Sequence, residues 1–201
     1  MLIYNRKKKQ TENLITAIST NDYDLAKYAV ENGADVNYRD KNIIMIIYAI
    51  NMGYWGYNSD FKISYLLLDH GIDVHVRDVN NCSLLYGAVL YKDVRLVRFL
   101  CSKYRLNPFD QMNSFNLSPL SLAIKSKFYD GLIEMIKIMK YGSKQVYLNF
   151  LLLKYAEEKN VGGINKVKEL GVESRKPIFN GLSVYDMIRL NGDLSDMLQY
   201  I

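Results

Sequence analysis

The sequence has few of the residues that cross-link secreted proteins and no apolar run long enough to cross a membrane. Its 201 residues include two cysteines, Cys82 and Cys101, which could form at most one bridge and are too few to staple a secreted scaffold. The longest nearly continuous apolar run, residues 43–50, is far shorter than the ~20 residues of a membrane-spanning helix. At the N-terminus apolar residues precede the basic ones, the reverse of a secretory signal. We therefore expect an intracellular protein with no membrane partner and with both thiols reduced.

Motifs that perform catalysis or hold cofactors are also missing. The chain lacks the Gly-x-Ser-x-Gly, phosphate-loop, dinucleotide-binding and His-Glu-x-x-His motifs. His70 and His75 could join the two cysteines in a zinc set, but without the short ligand spacing that makes such signals specific. We instead expect His70 near a helix C-terminus and Cys101 in the core. The sequence thus predicts no enzyme, no cofactor and no metal site.

The charge of the chain is only modestly basic. The formal net charge is +5, which permits an acidic partner but is well below the concentrated positive field of a dedicated nucleic-acid binder. The densest basic run is residues 6–9, which we interpret as a solvated leader to the first helix, with a nuclear-entry or nucleic-acid element as the alternative. No Ser/Gly/Pro-rich stretch divides the chain. We therefore predict a single domain over residues 1–201.

An internal repeat organises the chain. An apolar block ends in a small residue at Ala17, Ala49, Ala88, Ala123 and Ala156. By subtraction of their numbers these alanines are 32, 39, 35 and 33 positions apart. A sixth copy places Ile188 another 32 positions on and runs to about Ile201. A repeat of this period is typical of an array of supersecondary units.

Each repeat follows one plan, which is clearest over residues 21–40. The polar turn Asn21–Asp22 leads into an amphipathic helix over residues 25–30. Gly33 then ends this helix, and an extended, turn-rich link follows. The second repeat has the same order around Gly71. The pattern predicts two short helices and a finger-like turn in each repeat.

These segments resemble ankyrin repeats. The likeness is carried by residues 116–123 and 181–185 for the first helix, and by residues 31–37 and 67–71 for the second helix and its glycine stop. It implies an all-α ankyrin-repeat solenoid of about five to six stacked helix-turn-helix units with short finger turns. The units are residues 10–39, 40–78, 79–112, 113–145, 146–178 and 179–201.

Two repeats depart from the ankyrin pattern. Residues 103–108 replace the glycine stop in the third repeat, and residues 161–163 begin the second helix of the fifth irregularly. The chain is also rich in Tyr, Asn and Ile. Divergent, irregular repeats with this composition resemble the ankyrin-repeat host-range and immune-evasion proteins of poxviruses.

This resemblance implies a function as well as a fold. It implies a non-enzymatic protein-protein interaction module, a monomer in the host cytoplasm or also the nucleus, that binds and inhibits a host innate-immune or antiviral protein. One alternative is the substrate-recognition part of a cullin ubiquitin-ligase adaptor whose F-box-like segment lies outside this chain. A second alternative, from the charge, is a basic nucleic-acid-binding protein.

Aromatic and arginine side chains on the finger turns are the candidate binding residues, because these types dominate measured binding hot spots. In the fingers they are Tyr38, Arg39, Arg77 and Phe109. The alternative is that each packs on the next finger or is exposed without a partner.

A second candidate site is the insertion between the helices of the second repeat, which carries Tyr54, Trp55 and Tyr57. A large aromatic side chain in an optional loop favours protein docking. The alternative is that Trp55 folds back and fills the gap between the two helices.

Overall fold

The computed structural model describes residues 2–39, 44–55, 61–110 and 117–201, with the backbone alone at residues 2–4 and 52–55. Within these ranges the chain forms helices and turns, with isolated bridges and no strands. The predicted all-α class is therefore confirmed. Residues 1–131 make a first compact unit and residues 132–201 a second. One domain over the whole chain stays a prediction.

Seven helices are described in the first compact unit: α1 (Leu2–Thr20), α2 (Tyr23–Glu31), α3 (Met45–Trp55), α4 (Lys62–Asp69), α5 (Leu84–Leu90), α6 (Val94–Tyr104) and α7 (Pro119–Lys125). The helix α8 (Tyr129–Ile136) crosses the boundary between the units. The second unit contains α9 (Tyr141–Glu157), α10 (Val161–Glu169), α11 (Val184–Leu190) and a terminal 3-10 helix (Gly192–Tyr200).

Local sequence signals explain where many of these helices begin. The helices α2, α5, α6, α7, α10 and α11 start after a side chain that accepts a backbone N–H of their first turn, at Asp22, Ser83, Asp93, Ser118, Asn160 and Ser183 respectively. Such caps satisfy N–H groups that have no partner inside the helix. The turns before second helices contain a residue in the left-handed region, at Asn21, Lys92, Lys127 and Lys159. The turn predicted at Asn21–Asp22 and the helix after it are confirmed.

In the first compact unit successive helix pairs pack side by side. The helix α1 contacts α2 and α3, α3 contacts α4 and α5, and α5 contacts α6 and α7. The alanines of the repeat, Ala17, Ala49, Ala88, Ala123 and Ala156, are all buried. A methyl side chain keeps the distance between packed helices short, which explains why the repeat has a small residue at this position.

The start of α1 corrects one prediction. Residues 6–9 lie inside α1, so they are not a leader to the first helix. Lys and Arg are good helix formers, and two of the four side chains are held by contacts with the next helix and its link. Arg6 donates to Asn32 Oδ1 at 3.0 Å, and Lys7 Nζ lies 2.9 Å from Asp35 Oδ2.

The second helices of the fifth and sixth repeats are formed differently. In the fifth, α10 begins regularly because Asn160 caps it. Gly163 lies against the ring of Tyr155, where a Cβ atom would come within 2.4 Å of a ring carbon. In the sixth, the second helix is a 3-10 helix, since Gly192, Asp193 and Ser195 are poor helix formers.

After several second helices, one residue with a left-handed backbone conformation ends the helix and turns the chain. Gly33, Gly71 and Gly171 have φ between 76° and 91°, which costs glycine little. In the third repeat, where the sequence has no glycine stop, Arg105 takes this conformation with φ of 53°. The helix stop is therefore kept without glycine.

Candidate protein-binding surface

Three extended links follow second helices in the first compact unit, and we name them the first (33–39), second (71–78) and third (105–110) finger links. The third residue of each link has an acidic or amide side chain that accepts a hydrogen bond from the backbone N–H two residues further on. Asp35 accepts from Asn37, Asp73 from His75 and Asn107 from Phe109, at 3.1, 2.9 and 3.0 Å. These turns give the three links a similar local shape.

Side chains of one link hold the next. Arg39 donates to Asp73 Oδ2 at 2.7 Å, and Arg77 donates to Asp110 Oδ2 at 2.5 Å. The partners are 34 and 33 residues apart, which is one repeat. These two ion pairs form a finger ladder along the surface.

An amide clamp adds to the ladder between the first and second links. Asn37 Oδ1 accepts from the N–H of Asp73 at 2.7 Å, and its Nδ2 donates to the carbonyl of Gly71 at 3.3 Å. The pKa of Asp73 is lowered, mainly by the N–H of His75 and further by Arg39. The Asp73 carboxylate is therefore ionised at neutral pH and accepts from Arg39 there.

The ladder shows what the Arg39 and Arg77 side chains contact, and binding through them stays a prediction. Both side chains are partly exposed, but each is engaged by a carboxylate of the next link. The geometry thus favours packing on the next finger, with each exposed pair contributing about 0.2–1 kcal/mol. The equal spacing of Arg39 with Asp73 and of Arg77 with Asp110 is a sequence signal that could have revealed these pairs.

Tyr38 and Phe109 are partly exposed at the surface. Tyr38 is 37% exposed and borders a cavity of about 360 Å3 between α1 and the first finger link, together with Lys7 and Lys8. Phe109 is 44% exposed on the third finger link. These two rings are the predicted finger residues that offer apolar area to a partner.

The predicted insertion site is described only in part. Tyr54 and Trp55 are the last residues of α3, and their side chains are not described. Tyr57 lies outside the described residues. Docking through this segment stays a prediction.

A groove between α3 and α5 was not predicted from the sequence. We name it the inner groove; its volume is about 420 Å3. Its walls are Ile47, Ile50 and Asn51 of α3, Leu84, Tyr86, Gly87 and Leu90 of α5 with Tyr91 after it, and Asp78, Asn80, Cys82 and Ser83 of the turn before α5. Such a volume lies within the range of sites for small ligands or a few side chains.

Hydrogen bonds fix the two ends of this groove. Tyr91 donates its hydroxyl to Asn51 Oδ1 at 2.8 Å and so ties α5 to α3. In the turn, Asp78 Oδ1 accepts from the N–H groups of Asn80 and Cys82 at 2.9 and 2.7 Å. Leu90 is 49% exposed at the wall of the groove. The groove is therefore a recess of mixed lining, with apolar side chains of α3 and α5 in its walls and polar groups at its ends.

The sequence could not reveal this groove because its residues follow the ordinary pattern of a packed helix. Tyr86 and Leu90 are one helical turn apart, as core residues are. Gly87 lies opposite Ile50, with 4.0 Å between an added Cβ and a methyl group. The open space depends on the separation of α3 and α5 beyond this close point, which only the structure gives.

Comparison with known proteins assigns no family, since neither a family model nor a curated protein matches the chain. Among the residues described, no helix has both the length and the apolar character needed to cross a bilayer. In the same residues, His, Cys, Asp and Glu side chains do not gather in groups of three or more that could hold a metal ion. Neither cysteine is in a disulfide; Cys82 is partly exposed in the inner groove and Cys101 is buried.

Proposed function

We propose that the chain is an ankyrin-repeat protein whose helix pairs are the repeats and whose finger links are the finger turns. The proposal is supported by the buried alanines at repeat spacing, by the left-handed residues that end α2, α4 and α6, and by the isolated bridges Arg39–Ile44 and Arg77–Ser83 at equivalent positions. Stacked repeats bury their helix contacts and leave an extended surface for binding.

The function that we propose is non-enzymatic binding and inhibition of a host innate-immune or antiviral protein in the cytoplasm, by a monomer. The observation that carries it is the inner groove beside the finger links. The groove offers Leu90 and Tyr86 as apolar wall and Asn51 and Asn80 as hydrogen-bonding groups. A recess that combines apolar walls with polar groups can take an inserted side chain and fix its orientation.

The finger ladder contributes to this function indirectly. Arg39 and Arg77 hold neighbouring links at a fixed spacing through Asp73 and Asp110. A surface that is already ordered loses less conformational entropy on binding, so more of the contact energy becomes affinity. Inhibition follows if the bound surface of the host protein is the one it needs for its own partners.

The test is affinity capture from human cell lysate with the tagged chain, read by mass spectrometry. Two exposed leucines give a matched pair of variants: Leu90→Glu places a charge in the inner groove, and Leu190→Glu places one on α11, where the side chain is 68% exposed. We expect one defence protein to be recovered by the unmodified chain and by the Leu190 variant, and to be lost with the Leu90 variant.

Other outcomes would favour the other functions. Recovery of cullin-ligase subunits would support the adaptor function instead. RNA-associated proteins that disappear after nuclease treatment would support nucleic-acid binding. Equal recovery by both leucine variants would contradict the inner groove as the binding site.

A further inference from the structure

A cavity of about 300 Å3 lies between the second and third finger links. Its polar lining comprises His75 and Arg77 from the second link, and Arg105, Asn107 and Asp110 from the third. Val74, Val76 and Leu106, which also line it, are buried. The cavity is separate from the inner groove, although Ser83 borders both.

The cavity occurs where the amide clamp of the preceding pair of links is missing. Asn37 stands four residues after Gly33 and clamps the second link, and His75 stands four residues after Gly71. No hydrogen bond joins the His75 side chain to residues 105–110 of the described chain. Asn37 and His75 thus have equivalent positions in successive repeats. The asparagine clamps the next link, whereas the histidine lines a cavity.

The third link also has a backbone N–H that lacks the acceptor which the amide clamp provides in the second link. In the second link the N–H of Asp73, two residues after the left-handed Gly71, donates to Asn37. In the third link the N–H of Asn107 has the same position, two residues after the left-handed Arg105. Within the described residues this N–H has no hydrogen-bond acceptor. Asn107 is exposed, so this N–H is open to water or to an acceptor of a bound ligand.

The charges around the cavity favour an anion. Among the described residues that line the cavity, Asp110 is the one carboxylate, and it is engaged by Arg77, with 2.5 Å between Asp110 Oδ2 and Arg77 Nη2. The Arg105 side chain is exposed and makes no hydrogen bond or ion pair with any described residue, while the backbone N–H of Arg105 donates to the carbonyl of Leu100. Its guanidinium, the Asn107 N–H and the His75 ring are therefore donors without an internal acceptor, and guanidinium groups match the geometry of oxyanions.

Arg105 occupies a backbone position that is glycine in three other repeats. Gly33, Gly71 and Gly171 occupy the corresponding left-handed position after second helices. A side chain there costs about 1 kcal/mol relative to glycine. Lys92, Lys127 and Lys159 take the same conformation in other turns, so the case for Arg105 rests on the position of its side chain in the lining of the cavity.

We propose that this cavity is a binding site for a single oxyanion group, a phosphate or a carboxylate, held by Arg105, His75 and the N–H of Asn107. Arg77 stays on Asp110 and supplies positive potential from the other wall. The group can come from a free anion or from a side chain of a bound peptide, and both use the same donors. The site does not depend on the proposed host partner.

The two histidines provide the readout, since the chain contains only His70 and His75. His70 caps the end of α4, where its Nδ1 lies 2.8 Å from the carbonyl oxygen of Leu66, so its ring is the internal reference. Proton NMR follows both rings at one fixed pH during titration with inorganic phosphate and, separately, with a Gly-Glu-Gly peptide. Sodium chloride at equal ionic strength is the blank.

We expect the His75 resonance to move with saturation and the His70 resonance to stay in place. Arg105→Gln should weaken binding about tenfold, since a charge-assisted hydrogen bond is lost. Arg105→Gly tests the same loss with a residue that suits the left-handed backbone. Arg95→Gln, on the exposed side of α6, is the control and should bind as the unmodified chain does.

Binding of phosphate alone would identify a phosphate group as the ligand, and binding of the peptide a carboxylate. Equal shifts of both histidines, or no shift beyond the chloride blank, would overturn the site. So would a Kd for both Arg105 variants equal to that of the Arg95 control. Loss of the host partner in capture experiments leaves these outcomes unchanged, so the two proposals fail separately.

Discussion

Two adjacent glycines at the start of α10 should respond to alanine in opposite directions. At Gly163 an added Cβ would lie 2.4–2.6 Å from three ring atoms of Tyr155, a buried side chain. Normal contact needs about 1 Å more, and forcing extra atoms into a packed site costs about 1–3 kcal/mol. We therefore expect Gly163→Ala to lower the free energy of unfolding by up to about 2 kcal/mol once a gain of about 1 kcal/mol in helix propensity is subtracted.

Gly162→Ala is the matched control. Its added Cβ would meet only Asn160 Oδ1, at 3.6 Å, which is an ordinary contact. Alanine reduces the conformational entropy of the unfolded chain, so this variant should gain about 0.4–1 kcal/mol. Urea unfolding followed by circular dichroism measures both variants. If the two changes have the same sign, the close approach of Gly163 to Tyr155 is wrong.

Three further predictions concern polar contacts and thiols. Gln145 makes the same two-bond clamp as Asn37 but is more buried. We therefore expect the free energy of unfolding, measured in urea, to fall by about 2 kcal/mol in Gln145→Ala and by about 1 kcal/mol in Asn37→Ala. The buried hydroxyl of Tyr65 has no hydrogen-bond partner among the described residues, and Tyr65→Phe should raise the free energy of unfolding by about 1 kcal/mol. Because burial raises the pKa of Tyr65 to about 12 from 10.0 when unfolded, stability should fall between pH 10 and 12, and the Phe variant should escape this loss. Cys82 should react with a thiol reagent in the native protein, and Cys101 only after unfolding.

The local parts of the fold could be predicted from the sequence because they depend on neighbouring residues. The turn Asn21–Asp22, the stop at Gly33 and the helix between them follow from capping and from the left-handed preference of glycine. The stop at Arg105 could not be predicted this way, since arginine gives no such signal. There the packing of the repeat imposes the conformation on an unfavourable residue.

The candidate sites depended on distances that a sequence does not contain. The residue types Tyr38 and Phe109 indicated exposed rings correctly. The roles of Arg39 and Arg77 required the alignment of one link with the next, and the inner groove required the separation of α3 from α5. Residue type therefore indicated which side chains are exposed. The alignment of successive repeats determines which of them form ion pairs with the next link, as Arg39 and Arg77 do.

Cys82 gives the most direct test of the inner groove as a protein-binding surface. Its thiol lines the groove, so its rate of modification reports whether the groove is occupied. With the captured host protein bound at saturation, we predict that the modification rate of Cys82 falls at least about tenfold, while the fold measured by circular dichroism is unchanged. An unaltered Cys82 rate in the saturated complex would contradict binding through the inner groove.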